Sequence, residues 1–359
     1  MLTYSKTWKT YIALGLVAAF CTALPVLQPR KAEAASLGQQ ILLAGVAVAL
    51  VNSYFNQMND HGQKSILADT KKQTGVSDDP KYQERLNALY HRLKNSGLIK
   101  ADYAIYANPK KEFNAFCTLG HVISVNKGAL DTLDDDELAA VLAHEMRHGE
   151  GKHPVQGVTK SVQLGLAVDI YLSSNPNTTS YILSGLAGNY INNEMFTMSQ
   201  EWEADNYAFT YATAAGFNPG GPAASMVKLR SLLGDLWHEG LARTVNPNNH
   251  PKTTDRVNNY AQKMTAYSEG HVKVKNDKTV QIDGVSIITP VKAYEHSGEE
   301  RAYLIAGHLA QAYHNHALAP ATVGEDGCVY VGAQAIVTPA EQDASAEDIV
   351  TALNTVLQK

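Results

Sequence analysis

Apolar side chains recur at helical spacing over most of this chain and alternate only in short stretches. The first long apolar run, residues 11–24, follows Lys6 and Lys9 and is broken by Pro25. A second, residues 42–51, reads LLAGVAVALV. Both are well short of the roughly 20 residues that a membrane-spanning helix needs. Basic start, apolar middle and the small-x-small site Ala32-Glu33-Ala34 mark residues 1–34 as a secretory leader, with an uncleaved membrane anchor as the alternative. The second run predicts a helix packed on the core.

Beyond these runs the periodicity predicts a succession of elements. A helix spans 80–98, with Asp79 as its cap, Pro80 at its first position and Gly97 at its exit. Strands follow at 103–106 and 116–125, the second ending in the turn Asn126-Lys127-Gly128. The acidic run Asp134-Asp135-Asp136-Glu137 suits the positive end of a helix that continues through LAAVLAHEMRHGEGKH and stops at Pro154. Residues 162–172 and 181–191 flank SSNPNTTS as a helical hairpin, and helices follow at 198–214, ended by Gly216 and Pro219, and at 222–237. After about residue 270 the texture changes. A hairpin over 271–290 turns at Lys275-Asn276-Asp277, a helix spans 298–314, two short strands lie within 327–338, and a last helix covers 346–357. No internal repeat is evident.

Composition narrows the classes. The chain has 359 residues, 45% hydrophobic and 18% charged, enough to bury a sizeable core. Thirty basic against 35 acidic residues give −5, which argues against a nucleic-acid partner. Loss of the leader, with Lys6, Lys9, Arg30, Lys31 and Glu33, leaves 325 residues at −8. Three cysteines exclude a disulfide scaffold, and Cys117 and Cys328, the two beyond the leader, are expected to be buried and free.

The sharpest chemical feature is His144-Glu145-Met146-Arg147-His148. On a helix the two histidines lie one turn apart on one face and both reach one ion, and Glu145 stands beside them. A hydrolytic zinc site needs a third protein ligand and an open fourth position. The longer HExxHxxGxxH pattern fails, because Gly151 fits but residue 154 is Pro154, and His153 reads as a surface histidine. The other source is Glu201-Trp202-Glu203-Ala204-Asp205, which starts 53 residues after His148. Glu201 and Asp205 share a helix face, so that one ligates and the other orients a ligand histidine, and Glu203 falls off that face.

With these residues the chain resembles the HtpX/CAAX-prenyl-protease-like family of gluzincin zinc metallopeptidases, in its soluble, exported, BepA/LoiP-like branch. The resemblance extends over about residues 65–265. It includes Asn114-Ala115-Phe116 with Gly120-His121 and Asn126, Ala215-Gly216-Phe217-Asn218-Pro219, and His250-Pro251 with Asp255-Arg256; Cys117-Thr118-Leu119 departs from the family's usual Pro-Gly-rich sequence. It implies one Zn2+ per chain held by His144, His148 and Glu201, with Glu145 as general base and Asp205 as an orienting group or proton donor. It also implies that His250 lies near the metal, either stabilising an oxyanion or plugging the fourth position, and that Arg256 forms a supporting salt bridge. The edge strand that starts at Asn114, Ala115 and Phe116 would pair with an extended substrate.

The expected fold class is therefore α+β. A mainly helical zincin-like core with a small sheet (35–265, with its helical lead-in) precedes a small C-terminal α+β module (266–359). The expected activity is that of an exported zinc metalloendopeptidase acting on unfolded or envelope proteins in the periplasm or cell envelope of a bacterium. It would work near the membrane, with a protein partner at the C-terminal module and no nucleic acid. The alternative is a chaperone-like adaptor with a latent zinc site. His308, His314 and His316 read as surface residues.

Overall fold

The computed structural model describes residues 37–161, 196–235 and 251–358. The expected leader (1–34), the expected hairpin over 162–191 and His250 lie outside the described residues. Two compact units divide the chain: residues 1–66, 118–120 and 152–195 form one, and residues 67–117, 121–151 and 196–359 the other.

In the first unit the apolar run 42–51 falls within a 25-residue helix, α1 (Leu37–His61). The Asn59 side chain accepts from the Gly120 amide at 3.2 Å, and Lys152 Nζ reaches the Asp60 carboxylate at 2.9 Å. No helix of the described residues is long and apolar enough to cross a membrane. Residues 153–161 are helical, with Pro154 in the first turn, where a missing amide costs nothing. His153 is buried there, contrary to the surface position expected for it.

The second unit holds the site. Helices α2 (Gln63–Thr74) and α3 (Pro80–Asn95) lead into it, and Asp79 caps α3 by accepting from the Lys81 amide at 3.1 Å. Next come β1 (Ala104–Asn108), β2 (Ala115–Thr118) and β3 (Val122–Asn126), in the sheet order β1-β3-β2. The single strand expected over 116–125 is thus two. The left-handed residues Gly120 (φ 73°) and His121 (φ 57°) turn the chain, leaving β3 central and parallel to β1 with β2 at the edge. Helix α4 (Lys127–Thr132) then leads to α5 (Asp135–Glu150). A reciprocal capping box of Asp134 and Glu137 starts α5 at both side chains. It ends at Gly151, one turn before the expected stop at Pro154.

Helix α6 (Met198–Ala214), capped by Thr197, packs along α5, and α7 (Gly221–Leu233) packs on both α5 and α8 (Thr253–Tyr267). Small fully buried residues face this contact, Ala139 and Ala143 on α5 and Ala204, Ala208 and Ala212 on α6. Short side chains let the two axes approach closely, which brings the functional side chains of both helices together. Cys117 and Cys328 are buried and not joined by a disulfide.

The C-terminal segment carries a repeat that its sequence did not reveal. Strands β4 (Val272–Val274), β5 (Val280–Ile282) and β6 (Val285–Ile288) precede α9 (Gly298–His314). Strands β7 (Ala321–Val323), β8 (Val329–Val331) and β9 (Gln334–Val337) precede α10 (Ala346–Leu357). Both sheets are antiparallel meanders whose register shifts at the same place, Val280/Gln281 and Val329/Tyr330. Thr289-Pro290 and Thr338-Pro339 follow the third strands, and Ser297 and Ser345 cap the helices. Each helix packs on its own hairpin and on the last strand of the other repeat. Two strands, β6 and β7, are additions to the expected pattern. One hydrophobic cluster runs from Phe209, Met226 and Tyr260 through Val280, Leu309 and Val329 to Leu353, so these repeats share a core with α6–α8.

Candidate active site

Helix α5 presents His144 and His148 one turn apart, as its 3.6-residue period requires. Their Nε2 atoms lie 3.1 Å apart. From α6, Glu201 Oε2 is 3.6 Å from His144 Nε2, and Oε1 is 3.5 Å from His148 Nε2. Glu201 is completely buried, as is Asp205. Zinc bonds to imidazole nitrogen and carboxylate oxygen are about 2.0–2.1 Å long, so a tetrahedral ion separates its donors by about 3.3–3.4 Å. The three observed separations bracket that value, and the donor set of two imidazoles and one carboxylate suits zinc. Glu145 is buried on the same turn.

The histidines are held from behind. Asp205 Oδ1 lies 3.0 Å from His144 Nδ1, which leaves Nε2 as the lone-pair donor. Asp205 is in turn gripped by Arg256 of α8, Nε to Oδ2 at 2.8 Å and Nη2 to Oδ1 at 2.6 Å, and the Tyr260 hydroxyl donates to Oδ1 at 2.8 Å. Burial raises the Asp205 carboxyl, but Arg256 and His144 overcome it and hold the group well below the usual carboxylate range. Burial likewise opposes charge on His144, yet Asp205 and Glu201 outweigh it and push its pKa up to about 10 in the absence of metal. The His148 ring stacks on Phe196, centroids 3.9 Å apart and planes 13° from parallel. That contact fixes the second imidazole by shape where the first is fixed by charge.

The expected residues His144, His148, Glu201 and Asp205 thus meet in one place, with Arg256 on Asp205, and Glu145 is buried next to His144 on α5. Glu203 points elsewhere, pairing with Arg147, whose guanidinium lies 3.9 Å from the Tyr207 ring. Asn114, Ala115 and Phe116 lie at and just before edge strand β2. Tyr260 and Phe196 escaped the sequence reading. Tyr260 is one turn beyond Arg256 on α8, a spacing that a motif search centred on histidine and carboxylate passes over.

Two imidazoles and a carboxylate on adjacent helices form a group that could hold a metal ion, with a buried glutamate next to it in the chain. The model of peptidase family M48 matches residues 78–263, just over half of the chain, and the protein belongs to that family; it is a metallopeptidase. It is 29% identical to the metalloprotease LoiP of Escherichia coli over 200 residues, 54% of this chain and 75% of that protein. Against the metalloprotease YcaL of the same organism, identity is 24% over 195 residues, 53% of this chain and 73% of that one. A putative beta-barrel assembly-enhancing protease of Vibrio cholerae is 24% identical over 202 residues, 54% of this chain but only 41% of its own length.

Proposed function

We propose that this chain is an exported zinc metalloendopeptidase that hydrolyses peptide bonds of unfolded or envelope polypeptides. The observation that carries the reading is the convergence of His144, His148 and Glu201 at zinc-ligand spacing, with Glu145 on the same turn. A zinc ion held by these three residues supplies Lewis acidity that acidifies water and polarises the scissile carbonyl. Glu145 takes the proton of the attacking water and passes it to the leaving amine. Asp205 keeps His144 in the tautomer that offers Nε2, and Arg256 and Tyr260 keep Asp205 ionised and in place. Edge strand β2 and the preceding Asn114 offer backbone groups to an extended substrate, a mode that reads chain shape more than side chains.

The proposed substrate class follows the similarity to a putative beta-barrel assembly-enhancing protease, and export follows the leader-like residues 1–34. Casein unfolded in solution is the first substrate to test. Hydrolysis is expected to stop on chelation, and Glu145→Gln is expected to slow it by about 10^2–10^4-fold while the variant keeps its metal. Absence of hydrolysis by the zinc-loaded wild type, with growth defects rescued equally well by Glu145→Gln, would instead favour an adaptor. His250→Ala belongs in the same assay: a gain marks a plug over the metal, and a loss marks transition-state stabilisation.

A further inference from the structure

A second group of ligand-type side chains lies at the opposite end of α5 from the active site. Asp134 and Glu137, the capping-box pair, face His296, which stands just before α9. His296 Nε2 is 3.3 Å from Asp134 Oδ2 and 3.6 Å from Glu137 Oε2. These separations repeat those between the donors of the catalytic group, and they too bracket the edge of a zinc tetrahedron. They are long for charge-assisted hydrogen bonds, which run at about 2.7–2.9 Å, and neither is one.

Three further observations point to a cation. Nδ1 of His296 sits 2.8 Å from the Tyr294 carbonyl, which can only accept, so a hydrogen is on Nδ1 and Nε2 is the ring atom turned toward the two carboxylates. A backbone carbonyl on the far nitrogen is the usual support of a metal-bound histidine. Glu137 is completely buried, and its Oε1 has no hydrogen-bond partner among the described residues. Each capping bond uses one carboxylate oxygen, Asp134 Oδ1 and Glu137 Oε2, and so leaves donor capacity on both groups. The positive end of α5 opposes a cation, and two carboxylates in direct contact oppose that field.

We propose that Asp134, Glu137 and His296 form a second divalent-cation site, of the tetrahedral zinc type with water in the fourth position. It clasps the loop before α9 to the first turn of the helix that carries the catalytic histidines. Two carboxylates balance the charge of the ion, and the half-exposed edge of Asp134 admits the water. The expectation of one zinc per chain counts only the first group.

The test is metal content of the full chain after dialysis against buffered Zn2+. Two zinc ions are expected for the wild type, one for His296→Gln, one for His148→Gln and none for the double variant. One zinc in both the wild type and His296→Gln, with none in His148→Gln, overturns the proposal and leaves the catalytic site standing. One zinc in the wild type and in His148→Gln, with none in His296→Gln, supports the second site and overturns the catalytic one. A His296→Cys variant guards against a fold defect, because it keeps a ligand. In the His148→Gln background its Co2+ form should show a thiolate-to-cobalt charge-transfer band, and a folded variant without that band counts against the site. Without a cation the two carboxylates, Asp134 first and then Glu137, would hold His296 as an imidazolium with a pKa up at about 10. An NMR measurement that finds the His296 ring protonated at neutral pH in zinc-containing buffer also overturns the proposal.

Discussion

Asp205 never needs to touch the metal to matter. It is a buried carboxylate satisfied by three donors, the Arg256 fork, the Tyr260 hydroxyl and the His144 imidazole. Taking one partner from a buried pair leaves the other charge stranded, which costs about 3–5 kcal/mol. Arg256→Gln is therefore expected to lower unfolding free energy in urea by about that amount. Asp205→Asn is expected to weaken zinc affinity about 10–100-fold in a chelator competition, since the imidazole loses its orienting acceptor. Tyr260→Phe removes one neutral donor of three and should cost about 1–1.5 kcal/mol. An equal loss from Tyr260→Phe and Arg256→Gln would show that packing, not charge, holds the group. Histidine and carboxylate spacing made His144, Glu145, His148, Glu201 and Asp205 legible in the sequence as a candidate group. His296 was not, because its partners Asp134 and Glu137 lie far away in the chain and no local spacing connects them.

At the scale of elements, α9 is fastened to the peptidase helices by close backbone approach. The Asn218 amide donates to Asp136 of α5 at 2.9 Å, while its side-chain amide donates to the Leu304 carbonyl of α9 at 3.0 Å. Gly307 of α9 sits directly against this turn: a Cβ there would fall 1.8 Å from Asn218 Oδ1 and 2.3 Å from the Gly220 amide nitrogen. Backbone cannot retreat cheaply. Gly307→Ala is expected to destabilise by at least about 1–3 kcal/mol, read from the urea midpoint, despite the higher helix propensity of alanine. A neutral or stabilising result would mean that α9 and this turn are not packed as described. The helices were readable in advance because their caps are local, Asp79, Asp134, Thr197 and Ser297 each bonding within its own first turn. The strands were not, since three-residue strands such as β4 and β7 are made by their partners rather than by their own pattern.

Across the whole molecule, two partly buried groups of the repeat region contribute an acid response. Burial lowers the His308 pKa to about 4, against about 6.5 for an unfolded histidine, and Gln334 donates to its Nδ1 at 3.1 Å. The surface position expected for His308 is thereby corrected, while His314 and His316 are exposed as expected. Between those two pH values the unfolded chain takes up a proton that the folded chain refuses, so stability falls as pH drops from about 6.5 to 4. Asp343 continues the decline: burial raises its carboxyl, but Arg301 and the Ala340 and Val291 amides outweigh that and lower it. Its contribution is present above about pH 3.9 and is lost as acid titrates the folded group. Urea unfolding across this range should show the slope, and His308→Gln should flatten it above pH 4. The shared cluster from Phe209 to Leu353 also bears on the whole chain. A chain ended at residue 265 would bare Tyr260 and Met264 and is expected to lose its cooperative thermal transition.

What the amino-acid sequence determined by itself is what short-range geometry controls: the positions of the capped helices, the shared face of His144 and His148, the acidic partner helix and hence the metallopeptidase family. Each motif among them is made of residues within one or two turns of one another, although the motifs themselves lie far apart in the chain. Tertiary structure alone decided which strand is central, that α9 and α10 each lean on the other repeat's last strand, and that His296 meets the start of α5. These depend on contacts between distant parts of the chain, where many pairings satisfy the same local pattern and only the burial of one common core selects among them.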